Sequence, residues 1–262
     1  MWDSRAEGRD TGVVAPERTH ERKERMKEMT LSQVLEEAFE RARDMDAPLS
    51  ARLEDFADSV RVASPEFADA VDDFVRRLNL SGCGAGAPAV GDLMPPFILP
   101  DDQGRLVTLE ELLAKGPVAL SFHRGHWCPY CRINTNALAH AQRLVEPIGG
   151  QIVAITPDLQ RFATALKSDA AAKPFPILTD VDNGYALSLN LAVFVGIEMQ
   201  KFMKDAGWDI RPYQGNDAWL LPIPATFIVD RDAVIRAHFV DPDYRKRMAI
   251  EAVVDALETC CE

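Results

Sequence analysis

Hydrophobic positions in the first third of the chain recur at steps of three and four residues, the spacing of amphipathic helices. The pattern begins at Leu31. It predicts helices at residues 31–42, 49–61 and 65–79. Ser64 followed by Pro65 fits a helix start, since serine is a favoured N-cap and proline a favoured first helical residue. We therefore expect residues 30–80 to form a helical extension.

The pattern changes after a glycine-rich stretch, SGCGAGAPAVG, which we interpret as a linker at residues 81–91. Beyond it, short apolar strands alternate with amphipathic helices, which predicts an α/β domain at residues 92–258. The predicted strands are Val118–Phe122, Gln151–Thr156, Thr226–Asp230 and Val234–Phe239. The predicted helices are Leu109–Ala114, Pro129–Glu146, Leu159–Ser168, Tyr185–Leu191, Ile197–Ala206 and Arg245–Glu258.

Composition and charge narrow the classes of partner. The net charge of -12 argues against nucleic acid, because phosphate binding needs basic patches. No apolar run approaches the roughly 20 residues that cross a bilayer, so no membrane partner is expected. Residues 1–29 mix acidic and basic side chains without an apolar core, which predicts a disordered tail rather than a signal peptide. Five cysteines are too few for a disulfide scaffold. We expect a cytoplasmic location.

The densest chemistry lies just after the first predicted strand, in the run HWCPYC. Pro129 at a first helical position leaves Cys128 at the helix cap and Cys131 one turn inside. A helix N-terminus presents unpaired N–H groups and the positive end of the helix dipole, which favour a thiolate over a thiol. The thiolate is the reactive form in disulfide and peroxide chemistry, so the pair predicts redox activity without a cofactor. A zinc site using His123 and His126 is the alternative, but no second Cys-x-x-Cys completes it.

Two arginines and a proline pair add to this chemistry. Arg124 and Arg132 flank the cysteines and would lower a thiol pKa by Coulomb attraction, although Arg132 fits a solvated surface arginine better. Pro222 and Pro224 lead into an apolar strand. A proline at such a place often carries a cis bond, and a trans proline in a loop is the alternative.

Several ordered segments together resemble the thioredoxin fold and, more closely, the peroxiredoxin-like branch of the alkyl hydroperoxide reductase and thiol-specific antioxidant (AhpC/TSA) family. The matching segments are GDLMPPFILPDDQGRLVTLEELLAKGPVALSFHRGHWCPYC, QIVAITPD, FPILTD, LPIPATFIVD and DPDYRKR. The resemblance covers Gly91 to about Leu257, and residues 30–80 resemble the N-terminal extension of that branch. It implies a thioredoxin-like α/β fold, a central mixed sheet flanked by helices. It also implies that Pro224 is a cis-proline facing the cysteine pair, where it would receive a disulfide or mixed-disulfide substrate.

The chain departs from both the peroxiredoxin and the thioredoxin pattern that it resembles. Peroxiredoxins carry the pattern Pro-x-x-x-Thr-x-x-Cys and an arginine before a later strand. On this chain the proline position is Arg124, the threonine position is Cys128, the peroxidatic cysteine is Cys131 and the arginine position is Pro224. The groups that bind and polarise a peroxide are therefore replaced. Thioredoxin's buried aspartate is replaced as well, by Ser121.

The two parents also imply different nucleophiles. In the thioredoxin-like interpretation Cys128 attacks and Cys131 resolves. In the peroxiredoxin-like interpretation Cys131 attacks a peroxide to give a sulfenic acid, and Cys128 closes the disulfide. Because Cys128 caps the helix, we expect it to be the more exposed thiol and the attacker of large disulfide partners. The peroxide case stays open between the two.

Further residues receive narrower roles. We expect contact with substrate from Trp127, Pro129, Ile223, Pro224 and Arg124, with Trp127 shielding the site or simply packing. The aromatic-rich segment 193–220 is an insertion that would form a wall of the substrate cleft or part of the core. Cys83 is a resolving partner or has no role, and Cys260 and Cys261 fit a passive tail.

These observations predict a thiol-dependent antioxidant oxidoreductase that uses the Cys128–Cys131 dithiol to reduce hydroperoxides or disulfides. Its electron donor would be a thioredoxin- or glutathione-type reductant, and a homodimer stays open. The alternative is a redox sensor or metal-binding module without turnover, switched by the same cysteine pair.

Overall fold

The computed structural model describes residues 30–169 and 174–261, so the predicted disordered tail at residues 1–29 lies outside the described residues. The helices are α1 (Leu31–Asp44), α2 (Leu49–Ala63), α3 (Pro65–Leu80), α4 (Leu109–Leu113), α5 (Pro129–Val145), α6 (Gln160–Asp169), α7 (Gly184–Ser188), α8 (Ile197–Asp205), α9 (Arg211–Gln214) and α10 (Ile250–Cys261). The strands are β1 (Ile98–Pro100), β2 (Leu106–Thr108), β3 (Val118–Phe122), β4 (Gln151–Thr156), β5 (Ile177–Thr179), β6 (Ala192–Phe194), β7 (Leu220–Pro222), β8 (Ala225–Val229) and β9 (Ile235–Val240). Short 3-10 turns cover Glu146–Ile148 and Val181–Asn183.

A five-stranded mixed sheet forms the centre of the α/β domain, in the order β5-β4-β3-β8-β9. Strands β3, β4 and β5 run parallel, while β8 is antiparallel to β3 and β9 is antiparallel to β8. Every residue of β3 and β8 is buried, as expected for central strands that are covered on both faces. The first strand of the sequence prediction is therefore the middle of the sheet, and the chain leaves it directly into the cysteine motif.

Each face of the sheet has its own hydrophobic cluster. On one face, α5, α6 and α10 contribute Leu138, Leu166 and Leu257, all at most 2% exposed. On the other face, the β1–β2 hairpin, α4 and α7 pack around Phe122 and Phe227. The predicted thioredoxin-like architecture, a central mixed sheet flanked by helices, is confirmed.

The three helices of the extension form a third cluster that includes the cysteine motif itself. Phe56 of α2 meets the ring of Tyr130 edge-on, with 5.0 Å between ring centroids. Arg52, also on α2, is buried and donates hydrogen bonds to the carbonyl of Ala42 (2.9 Å) and to Asn136 Oδ1 on α5 (2.9 Å). The extension therefore packs against the start of α5, next to the two thiols.

The sequence predictions are confirmed for the extension helices and for the four predicted strands. They fail at the start of the C-terminal helix and for the shortest strands. The three extension helices and the four predicted strands all form, with ends shifted by at most two residues. The predicted helix Arg245–Glu258 is wrong at its start, because residues 245–249 lie outside α10. The strands of three residues were missed, since so short an apolar run has no measurable period. Among the described residues, no helix is long and apolar enough to cross a membrane.

Candidate active site

The cysteine motif begins helix α5 as its sequence predicts. Cys128 is the N-cap residue with extended backbone (φ -93°, ψ 112°), Pro129 is the first helical residue and Cys131 lies in the first turn. Both cysteines are buried, Cys128 at 1% exposure and Cys131 at 0%. The extension helices cover the end of α5, so neither thiol is open to bulk solvent and the expected exposure of Cys128 to large disulfide partners stays a prediction. Both are free thiols in the structure.

The two thiols differ in ionisation. Burial opposes ionisation of Cys131, but the hydrogen bond from Cys128 and the charge of Arg247 hold its pKa well below the ordinary value. The backbone N–H of Arg124 donates to Cys131 Sγ at 3.2 Å, and Arg247 Nη2 donates at 3.4 Å. Burial and the adjacent Cys131 sulfur raise the pKa of Cys128 well above its ordinary value. These effects favour ionisation of Cys131 over that of Cys128.

Arg247 is the functional residue that sequence reasoning missed. It lies in the DPDYRKR segment, 116 positions from Cys131 in the chain, and no local pattern singles it out. In the described part of the chain it has no carboxylate partner, and its Nε is buried without an acceptor. Its Nη1 donates to the carbonyls of Tyr244 and Lys246, while its Nη2 donates to the Cys131 sulfur. Arg247 places a positive charge beside the Cys131 sulfur. At the position where peroxiredoxins carry an arginine, this chain has Pro224 instead.

A buried polar group supports the loop between β3 and α5. The His123 ring is completely buried, with Ser121 Oγ at 3.0 Å from Nε2 and Thr135 Oγ1 at 3.3 Å from Nδ1. Burial lowers the pKa of His123 to about 4, so the ring is neutral at neutral pH. The neutral His123 ring forms hydrogen bonds with side chains of β3 and α5. It therefore joins the strand to the helix and adds no charge near the thiols.

Asp158 holds the same loop from β4. Its Oδ2 accepts the backbone N–H of His126 at 2.6 Å, while its buried Oδ1 has no hydrogen-bond partner. Burial raises the pKa of Asp158 to about 7. Gly125 passes directly over it with φ +134°, and a Cβ there would lie 2.5 Å from Oδ1. Glycine is required at this position by both the backbone conformation and the close approach.

Arg124 lies between two aromatic rings on the other side of the dithiol. Its guanidinium carbon lies 3.8 Å from the Tyr244 ring centroid and 4.9 Å from that of Trp127. The residue is only 5% exposed, and its side chain meets no carboxylate among the described residues. The Trp127 indole N–H donates to the Arg124 carbonyl at 3.0 Å, which fixes the stack. The expected flanking charge of Arg124 is thus present, and it lowers the pKa of Cys128 against the larger effect of burial.

A cavity of about 250 Å³ opens onto Cys128 between the extension and the α/β domain. Arg124, Trp127 and Pro129 line it, as do Trp208 and other side chains from the insertion at residues 193–220. The opposite wall comes from α2 and α3. Three of the predicted substrate-contacting residues therefore lie around one cavity.

The remaining predicted residues lie elsewhere. Ile223 is buried in the cluster on the far face of the sheet, and its N–H donates to Leu191 O. Pro224 is buried, but its peptide bond is trans, so the cis assignment is wrong. The chain runs extended from β7 into β8 there, which a trans bond allows. Arg132 is not a solvated arginine: it pairs with Asp169 at 2.8 Å and lies 3.9 Å from the Phe39 ring centroid.

The other cysteines and the metal alternative can be placed too. Cys83 lies at the end of the extension and packs against two clusters, while Cys260 and Cys261 end α10. In the ranges 30–169 and 174–261, no group of three or more His, Cys, Asp or Glu side chains is arranged to hold a metal ion.

Comparison with known proteins identifies the family and the fold of this chain. A model described as AhpC/TSA family matches residues 90–238. The 1-Cys peroxiredoxin PER1 of Hordeum vulgare is 27% identical over 181 residues, covering 66% of this chain and 74% of that protein. Among solved structures, a cysteine-to-serine mutant of peroxiredoxin 6 from Arenicola marina is 14% identical with a TM-score of 0.51, covering 64% of this chain and 70% of its own. Peroxidoxin BcpB from Mycobacterium tuberculosis is 20% identical with a TM-score of 0.49, covering 66% and 95%. The Arenicola likeness speaks for the fold alone.

Proposed function

The chain belongs to the AhpC/TSA family and is an oxidoreductase of the thiol-peroxidase type, and we propose that its catalytic thiolate is Cys131, with Cys128 as the resolving thiol. The observation that carries this proposal is the pair of N–H donors on Cys131 Sγ, from Arg124 and Arg247. Two donors and a cation stabilise the charged form of this sulfur and leave Cys128 as the protonated partner.

The proposed reaction has two steps. The Cys131 thiolate attacks the terminal oxygen of a hydroperoxide; an S–O bond forms, the O–O bond breaks, and the alkoxide or hydroxide leaves and takes up a proton. Cys128 then attacks the sulfenic acid sulfur, which gives the Cys128–Cys131 disulfide and one water. One thioredoxin-type dithiol, or two molecules of a glutathione-type monothiol, returns the pair to the reduced form and is itself oxidised to a disulfide.

Arg247 supports the first step in two ways. It stabilises the thiolate before the reaction through Nη2, and its positive charge lies within a few ångströms of the sulfur where the leaving oxygen develops negative charge. Electrostatic stabilisation of developing charge in a water-poor site is a large contributor to catalysis. Reduction of large protein disulfides is less well supported, because Cys128 is only 1% exposed and the extension covers it.

The experiment is to oxidise the fully reduced protein with a hydroperoxide and to follow tryptophan fluorescence in a stopped-flow instrument. At pH 7 a free thiol is about 3% ionised, so full ionisation alone raises the rate about thirtyfold over free cysteine. We expect Cys128→Ser to keep this fast phase and to accumulate a sulfenic acid on Cys131 that dimedone traps. Cys131→Ser should lose the phase.

The opposite pattern, a fast Cys131→Ser variant and a slow Cys128→Ser variant, would make Cys128 the nucleophile. A wild-type rate no faster than free cysteine would contradict the peroxidase proposal itself. A cytoplasmic location remains a prediction, and cell fractionation would test it.

A further inference from the structure

The resolving thiol borders the cavity between the extension and the α/β domain, and the attacking thiol does not. Cys128 lines the cavity, whereas Cys131 is absent from its lining. A reductant that enters the cavity after the disulfide has formed therefore meets the Cys128 sulfur. Attack there expels Cys131, whose thiolate is stabilised by N–H donors from Arg124 and Arg247. Because a thiol of lower pKa leaves faster, access and leaving-group chemistry both direct a reducing thiol to Cys128.

The size of the cavity limits what can reach this sulfur. Cys128 is only 1% exposed, and the cavity that opens onto it measures about 250 Å³. An engineered cavity of about 150 Å³ binds benzene, so a small organic thiol fits here. Helices α2 and α3 form one wall, and an ion pair of 2.7 Å between Asp72 and Arg245 ties α3 to the α/β domain. A folded dithiol protein would have to displace these helices to bring its own sulfur to Cys128.

The charges in the cavity wall indicate what kind of thiol fits. Arg61 and Arg245 each pair with Asp72 and with one further aspartate. Asp58 is exposed. Arg124 is only 5% exposed, lies between two aromatic rings and meets no carboxylate in the described part of the chain. A guanidinium is costly to bury without acceptors and pairs well with a carboxylate, so the cavity favours an organic anion beside the resolving thiol.

We propose that the electron donor of this protein is a low-molecular-weight monothiol that carries a carboxylate, bound in this cavity, rather than a thioredoxin-type protein. The carboxylate pairs with Arg124, and the thiol lies against the Cys128 sulfur. The inference rests on the proposed function, because that reaction forms the Cys128–Cys131 disulfide.

The reduction takes two thiol–disulfide exchanges. The first donor thiolate attacks the Cys128 sulfur; a bond forms between these two sulfurs, the Cys128–Cys131 bond breaks, and Cys131 leaves as a thiolate. A second donor thiolate attacks the donor sulfur of the mixed disulfide, which releases the oxidised donor and a Cys128 thiolate that takes up a proton. Two monothiols are thereby oxidised to one disulfide, and the protein gains two electrons.

The experiment follows reduction of the protein after its disulfide has been formed with diamide, so that no peroxide is needed. Mercaptopropionate carries a carboxylate and mercaptoethanol, of similar size, does not. Tryptophan fluorescence gives the rate with each thiol, and dividing by the rate of the same thiol with dithiodipyridine, an uncharged disulfide, removes their difference in intrinsic reactivity. We expect the normalised rate to be about tenfold higher for mercaptopropionate, because a hydrogen bond between charged groups contributes at least that much.

Two arginine variants give a matched pair. Arg124→Met keeps a long side chain between Trp127 and Tyr244 and removes the charge, so the tenfold preference for mercaptopropionate should disappear. Arg76→Met makes the same change at an exposed arginine outside the cavity and should keep the preference. Arg124→Gln replaces Arg124→Met if the latter does not fold.

Two further measurements test the attacked sulfur and the class of donor. Partly reduced protein is quenched with iodoacetamide and digested, and mass spectrometry should find the donor on Cys128 and the alkyl group on Cys131. Thioredoxin, kept reduced by its reductase and NADPH, should reduce the disulfide no faster than mercaptopropionate does at the same concentration.

The outcomes separate this inference from the proposed function. Equal normalised rates for the two thiols, or a preference that Arg124→Met leaves unchanged, would overturn the inference and leave the peroxidase intact. The same holds for a donor found on Cys131 or for faster reduction by thioredoxin. Slow oxidation of the reduced protein by every hydroperoxide, with the preference for mercaptopropionate intact, would contradict the peroxidase and not the thiol site.

Discussion

The two sides of the cysteine pair are built in opposite ways. On the Cys131 side, the sulfur meets donors from Arg124 and Arg247, and a fully buried neutral His123 lies behind it. On the Cys128 side, the thiol faces a cavity whose far wall comes from the extension and carries apolar side chains beside the charged Asp58, Arg61 and Asp72. Only two residues separate the two cysteines, so the first turn of α5 divides the donors around Cys131 from the cavity beside Cys128.

This difference assigns separate tasks to the two sides. A thiolate needs donors and positive charge, and these are costly to bury unless each has a partner. The donors around Cys131 meet this need on one face of the turn, while the other face borders the cavity.

The largest effect on stability is expected from replacing Asp158, which holds the loop between β3 and α5. An aspartate has a pKa of about 3.9 when unfolded, against about 7 in the fold. Between these values the folded state binds more protons than the unfolded state, so this group makes the protein less stable as pH rises. Asp158→Asn keeps an acceptor for His126 and removes the titration. From pH 4 to pH 7, the free energy of unfolding of the variant should rise relative to wild type by up to about 4 kcal/mol.

Urea denaturation at several pH values measures this difference. A pH-independent difference for Asp158→Asn would mean that the buried carboxyl is ionised throughout.

The second-largest effect on stability is expected from replacing Arg52, which joins the extension to α5. Arg52→Met removes the hydrogen bonds to Ala42 O and Asn136 Oδ1 and leaves those buried acceptors unpaired. We expect a loss of about 2–3 kcal/mol in the free energy of unfolding. Arg76→Met, which removes an exposed pair with Asp73, should cost less than about 0.5 kcal/mol. Equal losses in the two variants would show that Arg52 does not hold the extension in place.

The smallest effect would sharpen the comparison at Arg247. Arg247→Gln removes the cation beside Cys131. The pKa of Cys131 should therefore rise, and the oxidation rate at pH 6 should fall about tenfold. The pH dependence of alkylation by iodoacetamide measures the thiolate directly, and its midpoint should move upward. Arg247→Lys keeps the charge and should restore most of the rate. If glutamine and lysine behave alike, the role of Arg247 is packing rather than charge.

Much of the fold was predictable because its long elements have strong periods. The stripe from Leu31 to Leu78 predicts the extension, and the apolar runs at Val118–Phe122 and Gln151–Thr156 match β3 and β4 to the residue. The three-residue strands and the five-residue start of the wrongly predicted C-terminal helix carry too few positions to show a period. For them, pairing with distant strands decides the structure.

The sequence by itself determined that two thiols begin a helix after a central strand, because Cys128, Pro129 and Cys131 are set by local helix chemistry. It also determined the family, through ordered segments along the chain. Only the tertiary structure decided which charge lies beside Cys131, since Arg247 comes from 116 positions away. It also decided that Cys128 is covered and that Pro224 is trans. Ionisation and access depend on burial and on charges within a few ångströms, and these are properties of packing rather than of neighbours in the chain.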